Sequence, residues 1–287
     1  MQQQPLWFER ADYAKISDLT EPSLVELFNR LEEAQKHFTG QLDRYDLQWE
    51  LPWPQDALHQ WSRQWEYPYV ASAIPEKPAQ ILDAGSGFTF FPFYLAALGH
   101  EVCAVDCDPQ LRKYYQTVWS NRNVSAKANK ASPEGNVTFN IQDLHSLSFK
   151  SNSFDIVYCV SVLEHLSEKE TVLREFARIL RPRGLFVLTC DISLDGSTEI
   201  SLPDFFDMLK AVDSIFEYTS VPTFQMDDDT LTTNYCRKEN SETLPWRKPR
   251  FRLRRLIHPR FYIQHERFTR ANFCSLAVAG MKLHVKY

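Results

Sequence analysis

From Pro78 to Ser193 the chain alternates short apolar runs with stretches of helical spacing, and no other feature limits its fold as sharply. The runs are AQILDAG, HEVCAVD, VTFNIQD, FDIVYCV and GLFVLTCDIS; between them lie FPFYLAALG, PQLRKYYQTVW and TVLREFARIL. Strands alternating with helices need crossover connections, which give a largely parallel sheet covered on both faces. The expected class is therefore α/β, doubly wound. Residues 121–136 are polar and contain Pro133 and Gly135, so they read as an extended loop before the third strand. Further on, PDFFDMLKAVDSIF predicts a helix and FCSLAVAGMKL a terminal strand, with an irregular insertion over about 219–262 between them.

Ahead of this core, residues 22–38 place Leu24, Leu27, Phe28, Leu31 and Phe38 near helical spacing. Residues 45–70 then concentrate Trp49, Trp53, Trp61 and Trp65 with Tyr45, Tyr67 and Tyr69. Such rings suit a helical layer packed on the core, or a wall of a substrate pocket. The expected organisation is a helical, aromatic-rich cap over 1–77 and a ligand-binding domain over 78–287.

Formal net charge is −5, and both signs are spread along most of the chain, so no global field points to nucleic acid. No apolar run approaches the roughly 20 residues of a membrane helix, and the start MQQQPLWFERADY lacks the pattern of a secretory leader. The six cysteines include no CxxC pair, and most sit in or beside apolar runs as small hydrophobes. These features predict a soluble, cytoplasmic protein with no metal site. The acidic run MDDD at 226–229 suits a solvated turn better than a cation site.

The segment ILDAGSGFTFF at 81–91 carries the chemistry. A strand ends at an acidic residue and enters a turn in which Gly85 and Gly87 allow close approach of a ligand, before a helix with unpaired amide donors. Nineteen residues after Gly87, the next strand ends on Asp106, whose carboxylate suits the two hydroxyls of a ribose. The pair predicts a nucleoside ligand. A dinucleotide would use the same two elements, but Phe90 stands where GxGxxG places its third glycine. Asp83 is a poor neighbour for a pyrophosphate and a good one for a ligand's ammonium group.

On ILDAGSG, EVCAVDCD, IQDLHSL, SFDIVYCVSVLEHL and FARILRPRGLFVLT, the chain resembles class I S-adenosylmethionine-dependent methyltransferases, in particular the broad type 11 group. The resemblance covers about residues 80–193 and implies a Rossmann-like sheet of seven strands, mostly parallel with the last reversed. It implies that Asp83, Gly85, Gly87, Asp106, Cys107, Asp143, Leu144 and Val160 form the cofactor site. Asp106 would meet the ribose, and Asp143 with Leu144 the adenine. The implied reaction is methyl transfer to oxygen, nitrogen or carbon of a small-molecule acceptor. The rivals are a nicotinamide-dependent oxidoreductase and a non-catalytic cofactor-binding partner protein.

His165 follows the fourth strand, where open α/β sheets build sites, and is the candidate general base. The same Glu164 and His165 pair recurs in relatives with dissimilar substrates, which favours a role on the cofactor side or at a helix start. RKPRFRLRRLIHPR at 247–260 has seven Lys or Arg residues in fourteen. It reads as a solvated face or as a holder of a phosphate or carboxylate on the acceptor.

Overall fold

The computed structural model describes residues 6–45, 47, 50–51, 58–128, 135–196, 200–239, 243–244 and 275–286, with the side chains of 120–128 left aside. Five parallel strands form the centre: β2 (Gln80–Ala84), β3 (Glu101–Asp106), β4 (Asn136–Ile141), β5 (Phe154–Val160) and β6 (Leu180–Ser193). β9 (Leu276–Val285) runs antiparallel to β6, with Thr189 opposite Gly280. The order is β1-β9-β6-β5-β2-β3-β4, where β1 is Asp12–Tyr13, and β8 (Phe216–Tyr218) also pairs with β9. Together with the two-residue strand β7 (Ile200–Ser201) beside β6, these make nine strands among the described residues. Removing the two-residue strands β1 and β7 leaves the expected seven, with the last reversed. The class is α/β and Rossmann-like.

Alternation along the strands divides the core into two layers, because successive side chains point to opposite faces. Ile156 and Tyr158 of β5 pack with the face that carries α1 (Pro22–Arg44), α2 (Arg63–Ala71), α3 (Phe91–Ala97) and α4 (Leu111–Ala128). Val157 and Cys159 pack on the other, against α5 (Lys169–Ile179) and α6 (Leu202–Ile215).

The aromatic segment is a core layer. Trp61, Trp65, Tyr67 and Tyr69 are all buried, while Trp49 and Trp53 lie outside the described residues. Trp65 stacks on Tyr69 with ring centres 4.5 Å apart, and its indole lies against β9. A Cβ at Gly280 would meet Trp65 Cη2 at 2.6 Å, so only glycine lets this ring reach the sheet. The indole Nε1 donates to Asp18 Oδ2 at 2.9 Å. Asp18, almost fully buried, also accepts from the Arg10 guanidinium and from the Lys15 amide. These bonds fix α2 against the sheet's face over β9, and its position matters for the site.

Three local expectations need correction. α1 runs on to Arg44, six residues beyond the predicted end, burying Leu42 with the rest of its stripe. α4 continues to Ala128, so 121–128 is helix rather than loop. That stretch is polar but contains neither glycine nor proline, and Lys127, Ala126 and Ala128 favour helix. Inside the expected irregular insertion, α7 (Thr233–Glu239) packs beside β9, with Thr233 Oγ1 accepting from the Leu276 amide. Among the described residues no helix is long and apolar enough to cross a membrane.

Candidate active site

The strand order reverses direction between β2 and β5, where chain connections leave to opposite sides, and open α/β sheets bind ligands in the crevice at that point. The two sides touch at the carboxyl ends of these strands. Gly85 has φ +77°, and a Cβ there would come within 2.5 Å of Val162 Cγ1. Gly87 also has positive φ, at 51°. The turn therefore needs glycine twice, for backbone angle and for space. The residues after it are packed inward: Phe88, Phe90 and Phe91 are buried, and Tyr67 of α2 lies with its ring centre 5.0 Å from Phe91 and 5.5 Å from Phe90. Phe90 thus belongs to the core where a dinucleotide turn would have its third glycine.

Asp83, at the level of Tyr158 in the β2–β5 register, is buried below the turn. Burial pushes its carboxyl up to about 8; the Tyr158 hydroxyl holds the rise back and the Asp106 charge adds to it. Burial likewise raises Tyr67 to about 12, and Tyr115 and Tyr158 well above the ordinary phenol range. The buried hydroxyls of Tyr158 and Tyr115 lie close to Asp83 and Ser86 but are poorly aligned for hydrogen bonds to them. A buried carboxyl with unsatisfied phenols around it is costly for the protein alone and suits a polar, cationic ligand group.

Asp106 ends β3 facing the turn. Its Oδ2 accepts from the Gly87 amide at 2.9 Å and its Oδ1 from the Asp108 amide at 3.0 Å, so the carboxylate is held in one orientation. Each oxygen keeps accepting capacity for a ligand hydroxyl. Cys107 follows it and is exposed, while Val160 at the end of β5 is half-buried. Asp143 lies beyond β4: its Oδ1 accepts from the His145 amide at 2.9 Å and sits 2.6 Å from His145 Nδ1. These bonds hold Asp143 below the usual carboxylate range. Leu144 is buried beside it. Seven of the eight expected cofactor residues thus lie in or directly after β2, β3 and β4, and Val160 closes the set from β5.

Sequence reasoning missed the other half of the crevice, over β5 and β6. Glu66 of α2 is fully buried there, with Oε1 accepting from Ser161 Oγ at 2.7 Å and from Thr189 Oγ1 at 2.6 Å. Its other oxygen accepts from Arg63 Nη1, which also donates to Ser161 Oγ at 2.7 Å. Ser161, the first residue after β5, has φ +48°, a left-handed conformation costly for a side-chain-bearing residue. Glu164 is buried and accepts from the Asp191 amide at 2.9 Å, tying the exit of β5 to β6. His165 is exposed on the same short turn. No sequence signal marks Arg63 or Glu66 beyond their place in the aromatic segment.

The acidic run is structural where it is described: Asp227 takes Lys15 Nζ on both oxygens at 3.1 Å, and Asp229 accepts from the Ser17 amide at 3.0 Å. Among the described residues no cluster of three or more His, Cys, Asp or Glu side chains could hold a metal ion. The basic stretch 247–260 lies outside the described residues.

Comparison with known proteins places this crevice in context. Residues 82–188 match the family model described as a methyltransferase domain. Ubiquinone biosynthesis O-methyltransferase of Xanthomonas oryzae pv. oryzae is 28% identical over 142 residues, 49% of this chain and 54% of that protein. The chain thus spans about half the length of the curated relatives it matches. A solved structure of a putative sarcosine dimethylglycine methyltransferase from Galdieria sulphuraria aligns with TM-score 0.48 and 17% identity, covering 77% of this chain and 84% of that one.

Proposed function

Because residues 82–188 form a methyltransferase domain of the class I, S-adenosylmethionine-dependent kind, we propose that the protein transfers a methyl group from this cofactor to oxygen, nitrogen or carbon of a small-molecule acceptor. The observation that carries this reading is the Gly85–Gly87 turn at the sheet's switch point, flanked by the Asp83 and Asp106 carboxyl groups. The fit is chemical as well as steric. Acidic groups without a nearby phosphate-binding glycine suit a ligand that carries a sulfonium, an ammonium and a ribose.

When bound, the cofactor supplies a methyl group activated by the positive sulfur. The protein's share is placement and exclusion of water. Asp106, oriented by two backbone amides, holds the ribose hydroxyls; Asp143 and Leu144 hold the adenine; Asp83 balances the amino group. The acceptor enters over β5 and β6, where an oxygen or nitrogen nucleophile must lose a proton. His165, exposed at the exit of β5, is the proposed carrier. Oxygen is the favoured acceptor atom, since curated relatives that match over about half of this chain are named O-methyltransferases. The basic stretch 247–260 supports an anionic acceptor.

Incubating the protein with cofactor labelled in its methyl group and extracts of its source cells, then identifying the labelled product by mass spectrometry, tests the reading. A protein that binds the cofactor yet labels nothing would favour a non-catalytic role. Asp106→Ala is expected to weaken S-adenosylhomocysteine binding by about 1.5–3 kcal/mol, the scale of hydrogen bonds to a charged group. Its circular dichroism should match the wild type. Unchanged calorimetric affinity would remove Asp106 from the ribose.

A further inference from the structure

His145 stands two residues beyond Asp143 in the segment that leaves β4, and both of its ring nitrogens face acceptors. Nδ1 lies 2.6 Å from Asp143 Oδ1, and Nε2 lies 2.9 Å from the Ser167 carbonyl oxygen in the turn before α5. A carbonyl cannot donate, and Asp143, held below the usual carboxylate range, has no proton to give. Both ring nitrogens must therefore carry hydrogen, which makes the imidazole a cation. The same two bonds, Ser167 first and Asp143 second, hold it above its ordinary value of 6.5. The charged side chains that face it are Asp143 on its own segment and Glu168 at the start of α5, and both favour the cation. His145 also gives Asp143 Oδ1 its backbone amide at 2.9 Å, so one residue engages that oxygen twice. Oδ2 is left for a ligand on a side chain that is 70% exposed and whose charge reaches Cys107, the residue after Asp106.

Resting on the cofactor assignment above, we propose that His145 is a positioning residue for the adenine: as an imidazolium it clasps the segment after β4 to the turn before α5 and aims Asp143 Oδ2 at the adenine amino group. A neutral ring keeps a donor on only one of its two nitrogens. When the proton leaves, either Asp143 or Ser167 loses its bond, and the carboxylate is held less firmly. Recognition of the amino group, which needs an acceptor at a fixed place, then weakens. The ribose and amino acid ends of the cofactor, assigned to Asp106 and Asp83, keep their contacts. The signature is a preference for the adenine amino group that falls as pH rises.

The test compares S-adenosylhomocysteine with its purine analogue, in which hydrogen replaces the adenine amino group, by calorimetry from about pH 6 to about pH 9 on wild type, His145→Ala and His145→Lys. The two ligands share their ribose and amino acid ends, so titration of Asp83 cancels in the ratio of their affinities. Wild type is expected to prefer S-adenosylhomocysteine by about tenfold or more near pH 6, on the scale of a hydrogen bond to a charged group. That preference is fully present below 6.5, and most of it is lost as pH rises through the raised histidine value. His145→Ala should show the small preference of high-pH wild type at every pH. His145→Lys, a cation throughout this range, should regain part of the preference and lose its dependence on pH. A merely structural role would weaken both ligands alike and leave their ratio unmoved; that result for His145→Ala overturns the proposal, as does a wild-type preference that is flat with pH. Equal binding of the two ligands by wild type would take Asp143 off the adenine and the proposal with it. Failure of wild type to bind either ligand would instead overturn the cofactor assignment itself.

Discussion

Asp83→Asn is expected to raise the thermal midpoint of the ligand-free protein by several degrees at pH 7 while weakening S-adenosylmethionine binding more than about tenfold. Both effects come from one buried carboxyl. Its folded value of about 8 lies above the ordinary 3.8, so between these pH values the folded protein holds a proton that the unfolded chain has released. Stability contributed by this group is fully present below about pH 4 and falls as pH rises towards 8. Asparagine has no proton to hold, and the variant's advantage should grow from pH 5 to pH 8 in thermal melts. Cofactor binding runs the other way, because the ammonium needs Asp83 charged. Wild-type affinity should rise up to about pH 8, with proton uptake by the buffer on binding at pH 7. Melting curves of wild type and variant that coincide at every pH would show that Asp83 is not held neutral.

Glu66→Ala is expected to cost about 3 kcal/mol of stability, the lower end of the range for breaking a buried ion pair, since Arg63 keeps a fifth of its exposure. Removal of the carboxylate leaves two hydroxyl donors, Ser161 Oγ and Thr189 Oγ1, without their acceptor and strips Arg63 of its counter-charge, leaving Nη1 only its bond to Ser161 Oγ. Glu66→Gln retains an acceptor for the two hydroxyls and should lose markedly less. Urea unfolding distinguishes them. Equal losses in the two variants would mean that packing, rather than charge and hydrogen bonding, explains the burial of Glu66.

The glycine turn and the carboxylate that faces it were legible in the sequence because their determinants are local. Gly85 and Gly87 lie within one turn, and Asp106 ends the next strand; each follows from the spacing of a strand and a helix. The Arg63–Glu66 half was not legible, since its bonds join residues 98 positions apart at Ser161 and 123 apart at Thr189. Such contacts leave no periodicity. A two-residue strand such as Asp12–Tyr13 is equally silent, because its partner Ala279–Gly280 lies at the other end of the fold. Composition misled at 121–128, where five of eight residues are polar and the apolar ones, Val124, Ala126 and Ala128, are too small to mark a core-facing stripe.

The pairing of β9 with β6 on one side and with β1 and β8 on the other has a consequence for the order of events in synthesis. Residues 276–285 leave the ribosome after all the other strands of this sheet, yet they occupy an interior place in it. Until then β6 presents an open edge and Asp12–Tyr13 has nothing to bond. The β2–β5 crevice is complete in sequence long before. A nascent chain can therefore hold a formed β2–β5 crevice on a sheet that is still unfinished, and the wait for its final strand is when the exposed edge of β6 is most open to pairing with another chain.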